Sequence, residues 1–382
     1  MKKNHYQALL TVMLLIIILG FPLFSILIPD RKYSKAERRV LDTSPTFNLE
    51  TWKDGSFGSN MESYLTDQFP GRDTLVYGNG LINRFLGNNL SQGVYNGKNG
   101  FLIQAFHIED STLSTKSTKA IQSFLAENNY ANGYILLAPT ASEILKDKLP
   151  KGAPVDSQEK WFEENTSQVS GENVTVVNLF EPFQSSEKDT LFYKTDHHWT
   201  TQGAYIGYQS LISAMFPDAE PIQWEEKEIC TNFQGTLMSK SGYYSGKKDT
   251  ISIYTLKNMD VNYIVDYVES QQKTATVYSS EGLEGDDPYE VFFGGNHSHI
   301  KITTDQKTDR KLIVFKDSYA NSLIPFLIPY FSEIDVIDPR YYAGSVSQLM
   351  ANSSYTDILF LYNIETYCED NSLVQILSME EE

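Results

Sequence analysis

The stretch KTDHHWTTQGA, Lys194–Ala204, sets an aspartate two residues before a histidine, with a second histidine between them and a tryptophan after. Two of the chain's six histidines stand here side by side. Acyl transfer by a serine needs a base that titrates near neutrality and an acid to orient it. Asp196 and His198 can supply both if the loop that carries them turns tightly. The same residues admit other readings. Thr195 or Asp196 can N-cap a helix that starts near Thr200, and Thr200 and Thr201 can cap it as well. His197 and His198 can also be half of a zinc site, for which only His297 and His299 of GGNHSH offer further ligands.

LIVFKDSYANS, Leu312–Ser322, reads as an apolar strand that rises to Phe315 and breaks into Lys316, Asp317 and Ser318. Ser318 would then open a helix with its hydroxyl exposed, where backbone N–H groups can hold an oxyanion. An ordinary N-cap serine fits the same pattern. LFLYNIETY ends a strand in Asn363, whose amide can face a developing oxyanion or simply favour a turn. DVIDPRYY ends in Arg340, a clamp for an anionic or sugar substrate or a surface salt-bridge partner. All these groups fall at the C-terminal ends of apolar strands, where sites in α/β sheets assemble.

The elements that must position them alternate along the chain. TKAIQSFLAENN is amphipathic, and GYILLAPT is a short continuous apolar run typical of a buried parallel strand. A helical stretch around 158–169, the strand NVTVVNLF and the helix GAYIGYQSLISAMF follow. KLIVF, EIDVI and TDILFLY close the series, so the pattern predicts an α/β domain with a mostly parallel sheet. GVYNGKNGFLIQ reads as a hairpin turning at Asn96–Gly100. Between about 220 and 310, short alternating runs predict a β-rich insertion or lid. From 31 to about 90 the chain is polar and mixed. The spacing of Met61, Tyr64, Leu65, Phe69, Leu75, Leu81 and Phe85 predicts a helical neck there.

The 382 residues suffice for one large domain or two modest ones. A net charge of -18 argues against nucleic acid as a partner. Cys230 and Cys368 are the only cysteines, compatible with one disulfide or two unpaired thiols. After Lys2 and Lys3, the run Tyr6–Ile28 has no charge and is long enough to span a bilayer as a helix. It is longer than a signal-peptide core and lacks an A-x-A-like cleavage site, so residues 1–30 are expected to be an uncleaved anchor.

TDHHWT, together with FKDSYANSLIPFLIPYFSEIDVIDPRYY and TDILFLYN, resembles the bacterial DHHW protein family. That family is similar to the alginate O-acetylation proteins of the SGNH (GDSL-like) hydrolase superfamily. AERRVLDTSPTF, YLTDQFPGRDTLV and VYNGKNGFLI match the same pattern, so the resemblance covers most of the chain after the anchor. It implies a three-layer α/β/α SGNH-like domain over 91–382, with the β-rich insertion. The Asp–His block precedes the serine block, the reverse of ordinary SGNH hydrolases, which implies the circularly permuted branch. Residue by residue, Ser318 matches the nucleophile, His198 the base and Asp196 its orienting acid. Asn363 takes the place of the oxyanion asparagine, and Arg340 that of an arginine near the site. Lys316 stands where the family's serine block has glycine, which changes the backbone freedom of that turn.

The implied activity is O-acetyl transfer to an exported or cell-wall polysaccharide through an acyl-serine, with neither metal nor cofactor. The implied partner is a membrane-bound O-acyltransferase that presents the donor. An esterase using the same three residues, or a non-catalytic scaffold or polysaccharide-binding component, are the alternatives. An exported substrate requires the domain outside the membrane. Arg31, Lys32, Lys35, Arg38 and Arg39 outnumber Lys2 and Lys3, and the positive-inside rule alone would orient it inward.

Overall fold

A computed structural model describes residues 28–34, 39–53, 55–108, 110–244 and 246–378, with 11, 12 and 14 before them. The expected anchor lies almost wholly outside the described residues. Among those described, no helix is long and apolar enough to cross a membrane. The chain divides into two compact units, Met1–Gln92 with Met238–Tyr244, and Gly93–Leu237 with Ser245–Glu382.

The smaller unit carries helices α1 (Leu49–Lys53), α2 (Ser56–Asp67) and α3 (Arg72–Phe85), the last two within the stretch whose spacing predicts helix. The apolar spacing that predicts them does not mark a buried stripe, because Leu65, Leu75, Leu81, Phe85 and Leu86 are all exposed. Phe47 and Phe57 meet edge to face at 5.2 Å, with Trp52 beside them.

In the larger unit, β1 (Val94–Asn96) and β2 (Leu102–Gln104) form the expected hairpin. Asn99 (φ 59) and Gly100 (φ 85) supply the left-handed backbone at its tip. Helix α4 (Ser111–Glu127) follows, capped by Asp110, which accepts from Thr112 N–H. Next come β3 (Asn132–Ala138), α5 (Gln158–Thr166), β4 (Val174–Val177) and α6 (Thr201–Met215). The stretch expected as one β-rich insertion holds β5 (Trp224–Phe233), β6 (Asp249–Leu256), β7 (Tyr263–Tyr267), β8 (Gln272–Thr274) and β9 (His299–Thr304). The C-terminal part adds β10 (Lys311–Lys316), β11 (Glu333–Ile337), α7 (Val346–Asn352), β12 (Asp357–Asn363), α8 (Ile364–Glu369) and α9 (Ser372–Ser378).

Eight strands make one sheet in the order β8-β7-β9-β11-β10-β12-β3-β4. The run from β11 to β4 is parallel, and β8, β7 and β9 join antiparallel at one edge. The 220–310 stretch is therefore not a single lid. β5 and β6 pair as a separate ribbon, whereas β7–β9 extend the main sheet. Pairing decides this: β9 buries Ile300 and Ile302 and aligns along β11 from His299↔Ile337 to Thr303↔Glu333.

The central strands are continuous apolar runs because both of their faces are covered. Phe315 of β10 stacks on Phe360 of β12 at 5.1 Å, and Phe124 of α4 meets Phe315 edge-on at 5.6 Å. The register Phe315↔Ile337, Lys316↔Leu361 and Asn363↔Ala138 brings the polar ends of β10, β11, β12 and β3 to one edge of the sheet. From β10 the chain moves outward to β11 and then returns to the other side of β10 as β12. Such a reversal opens a crevice at the carboxyl ends of the strands. Cys230 and Cys368 are free thiols.

Candidate active site

Asp196, His198 and Ser318 form one hydrogen-bonded row at that crevice. His198 Nδ1 lies 2.6 Å from Asp196 Oδ1, and Nε2 lies 2.8 Å from Ser318 Oγ. A carboxylate only accepts, so Nδ1 carries the proton and Nε2 presents its lone pair to the serine hydroxyl. Asp196 and His198 are buried, and Ser318 is partly open to solvent. The imidazole lone pair therefore faces the serine hydroxyl, the arrangement that activation of a serine by a neighbouring base would require.

The loop that carries the pair is closed at its neck. Phe192 bridges Trp199, and Thr200 N–H donates to Leu191 O at 2.8 Å. Asp249, at the start of β6, accepts from Lys194 N–H and from the N–H and hydroxyl of Thr195, at 2.6–2.8 Å. This turn lets Asp196 Oδ1 accept from both His198 N–H and Nδ1–H. Oδ2 accepts from the N–H and hydroxyl of Thr236, at 2.7 and 2.9 Å. Burial alone would push the Asp196 carboxyl up. His197, His198 and the Thr236 N–H outweigh it and hold the carboxyl well below the usual carboxylate range. Asp196 is thus ionised whenever His198 acts as a base.

Two tyrosines and a tryptophan tie this loop to the turn that carries Ser318. Trp199 is fully buried, and its indole N–H reaches Tyr319 O at 2.9 Å and Ser322 Oγ at 3.0 Å. Tyr319 returns a hydrogen bond to His197 O at 2.5 Å. Tyr289 stacks on His198 and donates to Ser318 O at 3.1 Å.

The competing readings of these residues resolve differently. Helix α6 is capped by Thr200, which accepts from Gly203 N–H, and not by Thr195 or Asp196. Ser318 is no N-cap either. That place belongs to Asp317, which accepts from Tyr319 N–H at 2.9 Å and leaves the Ser318 hydroxyl to His198. As metal ligands, Asp196, His197 and His198 lie close together. Both His198 nitrogens and Asp196 Oδ1 are engaged within the row, however, and Asp196 Oδ2 is engaged by Thr236. His297 and His299 bond to Phe293 O and Asp335 and do not join the cluster.

Asn363 and Arg340 lie at the same sheet edge, in roles other than the simplest expected ones. Asn363 donates to Asp317 Oδ2 through its backbone N–H (2.8 Å) and side-chain amide (2.6 Å). Its second amide hydrogen goes to Thr366 Oγ1 at 2.8 Å. Both amide hydrogens are engaged here, so Asn363 braces the turn that carries Ser318, and the oxyanion role expected of it would require one of these bonds to be exchanged. Arg340 grips Asp338 through Nε and Nη2, at 2.9 and 2.7 Å, so its salt-bridge reading is realised. Asp338 also takes the fully buried Lys316, whose Nζ lies 2.9 Å from Oδ2 and 3.0 Å from Asn296 Oδ1. Burial lowers the Lys316 ammonium, opposed by Asp338. Burial would raise Asp338, but Lys316 and Arg340 overcome it and hold the carboxyl low.

Sequence reasoning missed Thr236 and Tyr289, which come from segments distant in the chain, and Asp338, which stands two residues before Arg340 in DVIDPRYY. It also missed Gly235, where a methyl group would sit 2.6 Å from Asp196 Cα and closer still to its Cβ. Gly235 also donates its N–H to Thr195 Oγ1 at 2.8 Å. No local signal marks it beyond the break GT between strand and helix. Gly235→Ala is expected to cost about 1–3 kcal/mol of stability. It should also slow modification of Ser318 by serine-directed reagents about a hundredfold, through displacement of Asp196. Thermal melts and labelling rates would check both, and a variant with wild-type rates would show that the loop tolerates the shift.

A family model described as DHHW protein matches residues 118–337. Among solved structures, a DHHW family protein from Eubacterium siraeum is 21% identical, with TM-score 0.64, covering 76% of this chain and 96% of its own. Bacillus cereus PatB1 with a sulfonyl adduct is 21% identical, with TM-score 0.59, covering 73% and 96%. PatB1 without the adduct gives 20% and 0.57, covering 73% and 97%. No curated protein sequence matches the chain.

Proposed function

The chain belongs to the DHHW family, and from that premise we propose that it is an O-acyltransferase working through an acyl group on Ser318. The observation that carries the reading is the row Asp196–His198–Ser318, with the imidazole lone pair aimed at the serine hydroxyl. Its likeness to alginate O-acetylation proteins suggests acetyl as the acyl group and an exported or cell-wall polysaccharide as the acceptor. The sheet is then a permuted SGNH-like, three-layer domain. The run Tyr6–Ile28 would anchor it as a single-pass protein of the cell membrane, with the domain on the outer side. A membrane-bound O-acyltransferase beside it would present the donor.

In the first half-reaction Ser318 Oγ attacks the donor carbonyl while His198 Nε2 takes its proton. Asp196 keeps the imidazole in the required tautomer and stabilises the imidazolium. The Ser318 N–H, which makes no hydrogen bond among the described residues, is the backbone donor for the oxyanion. The leaving group departs with the proton from His198. In the second half, a sugar hydroxyl gives its proton to His198 and attacks the acyl-serine, and Ser318 recovers its proton as the ester breaks. Arg340, a quarter exposed beyond its pair with Asp338, would bind polar groups of the acceptor.

Incubation of the protein with an activated acetyl ester and a panel of oligosaccharides, read by mass spectrometry, tests this. The expected result is an acetyl adduct on Ser318 that is discharged onto sugar. An adduct discharged only onto water would identify an esterase, and no adduct would remove the acyl-serine altogether.

A further inference from the structure

We propose that Tyr289 is a positioning residue for the His198 base: its ring face keeps the imidazole in line with Ser318 and stabilises the imidazolium formed when the serine gives up its proton. The inference rests on the reading of Ser318 as nucleophile. Tyr289 belongs to a short turn, Pro288–Val291, about ninety residues from His198 and inside the stretch expected as a β-rich insertion.

Its ring lies parallel to the imidazole, with centroids 3.9 Å apart and 12° between the planes. The His197 ring also packs against the imidazole, with centroids 3.9 Å apart and a tilt of 37°. The stacked tyrosine face opposes rolling of the imidazole out of its plane and leaves in-plane motion open. In-plane motion is the freedom it needs to pass a proton between Ser318 and the oxygen that leaves or attacks.

The tyrosine is itself fixed. Asp287 accepts from its N–H at 3.2 Å, and Phe292 meets its ring edge-on at 5.3 Å. Its hydroxyl donates to Ser318 O at 3.1 Å, so one side chain sets base and nucleophile against each other. Burial pushes the Tyr289 phenol well above its ordinary value, so it keeps its proton and remains a donor. The electron-rich face of a tyrosine attracts a cation placed against it, and an imidazolium is such a cation.

Charged and titratable groups around His198 are Asp196 and His197 of its own loop, Asp317 and Tyr319 of the nucleophile turn, and Tyr289. Changing Tyr289 leaves the other four in place. The test uses the full chain and an arylsulfonyl fluoride, with Ser318 modification followed by mass spectrometry across pH. This probe needs no knowledge of the acyl donor or acceptor. Tyr289→Phe keeps the ring face and should label within about twofold of wild type, with the same pH midpoint. Tyr289→Leu, and Tyr289→Met as a second filler without a ring, should label about three- to thirtyfold more slowly at neutral pH. Their midpoint should move to lower pH by about half a unit to one unit.

Thermal melts establish that each variant is folded. Wild-type rates and midpoint in a folded Leu or Met variant would overturn the proposal. A Phe variant with a displaced midpoint, or one as slow as Leu, would overturn it too, because the hydroxyl and not the ring face would then be responsible. Absence of labelling in the wild-type protein would instead reject Ser318 as nucleophile, a different failure.

Discussion

Ser318→Ala is expected to give a folded protein that takes up no acyl or sulfonyl group and turns over about 10⁴- to 10⁶-fold more slowly than wild type. The loss is this large because the serine is not one contributor among several. In the proposed mechanism it supplies the atom that bonds to the acyl group, and without it the imidazole at 2.8 Å would have nothing to deprotonate. His198→Ala should cost about as much, and the double variant little more, since the two act as one unit. Stability should change by no more than about 1 kcal/mol, because the hydroxyl is partly solvated and makes a single neutral hydrogen bond. Donor binding should be nearly unaffected, so the loss appears in kcat. Residual turnover above about a hundredth of wild type, with an adduct still forming, would mean that another nucleophile does the work.

What the sequence makes legible follows from how local each signal is. Runs such as KLIVF and DILFLY predict buried strands because both faces of β10 and β12 are covered, and their polar ends mark where the crevice opens. Asp196 and His198 are legible because two residues of spacing suffice for the pair once the loop closes between Phe192 and Trp199. Longer-range facts are not. The alternating runs between about 220 and 310 predict β structure, but not that β9 pairs with β11 more than thirty residues on.

Side-chain roles are blurred in the same way. Asn363 at a strand end suggested a donor for substrate, yet the nearest carboxylate, Asp317, claims it. Ser318 looked like a cap, yet the aspartate before it caps the turn and frees the hydroxyl. Lys316 looked like a misfit in place of glycine. Its reason lies at the end of β11, in Asp338, a partner visible only when the register places the two strand ends side by side.

That pair carries the largest expected effect on stability. Asp338 is wholly buried and neutralises two cations, Lys316 at 1% side-chain exposure and Arg340 at 26%. Asp338→Asn removes the charge with almost no change in volume. Arg340 can turn toward water, but Lys316 cannot, and a buried ammonium without its anion costs about 3–5 kcal/mol. The expected result is a fall in Tm of roughly 6–12 °C. Lys316→Met removes the other partner and should behave differently. Asp338 keeps both bonds from Arg340, Asn296 Oδ1 keeps Asn321 Nδ2 at 3.1 Å, and a desolvated charge disappears, so the cost should stay below about 1.5 kcal/mol. The double variant should then be more stable than Asp338→Asn alone, because no stranded charge is left. The pH dependence has a definite sign. Asp338 is held below its ordinary value, so its contribution is present above the usual carboxylate range and is lost as pH falls through its lowered folded value. The gap between wild type and Asp338→Asn should therefore be full at neutral pH and close in strong acid. Thermal melts of the three variants across pH decide the matter. If Lys316→Met proves as damaging as Asp338→Asn, the ammonium is required for more than pairing with Asp338, and Lys316 becomes a candidate ligand for an anionic group at the nucleophile turn.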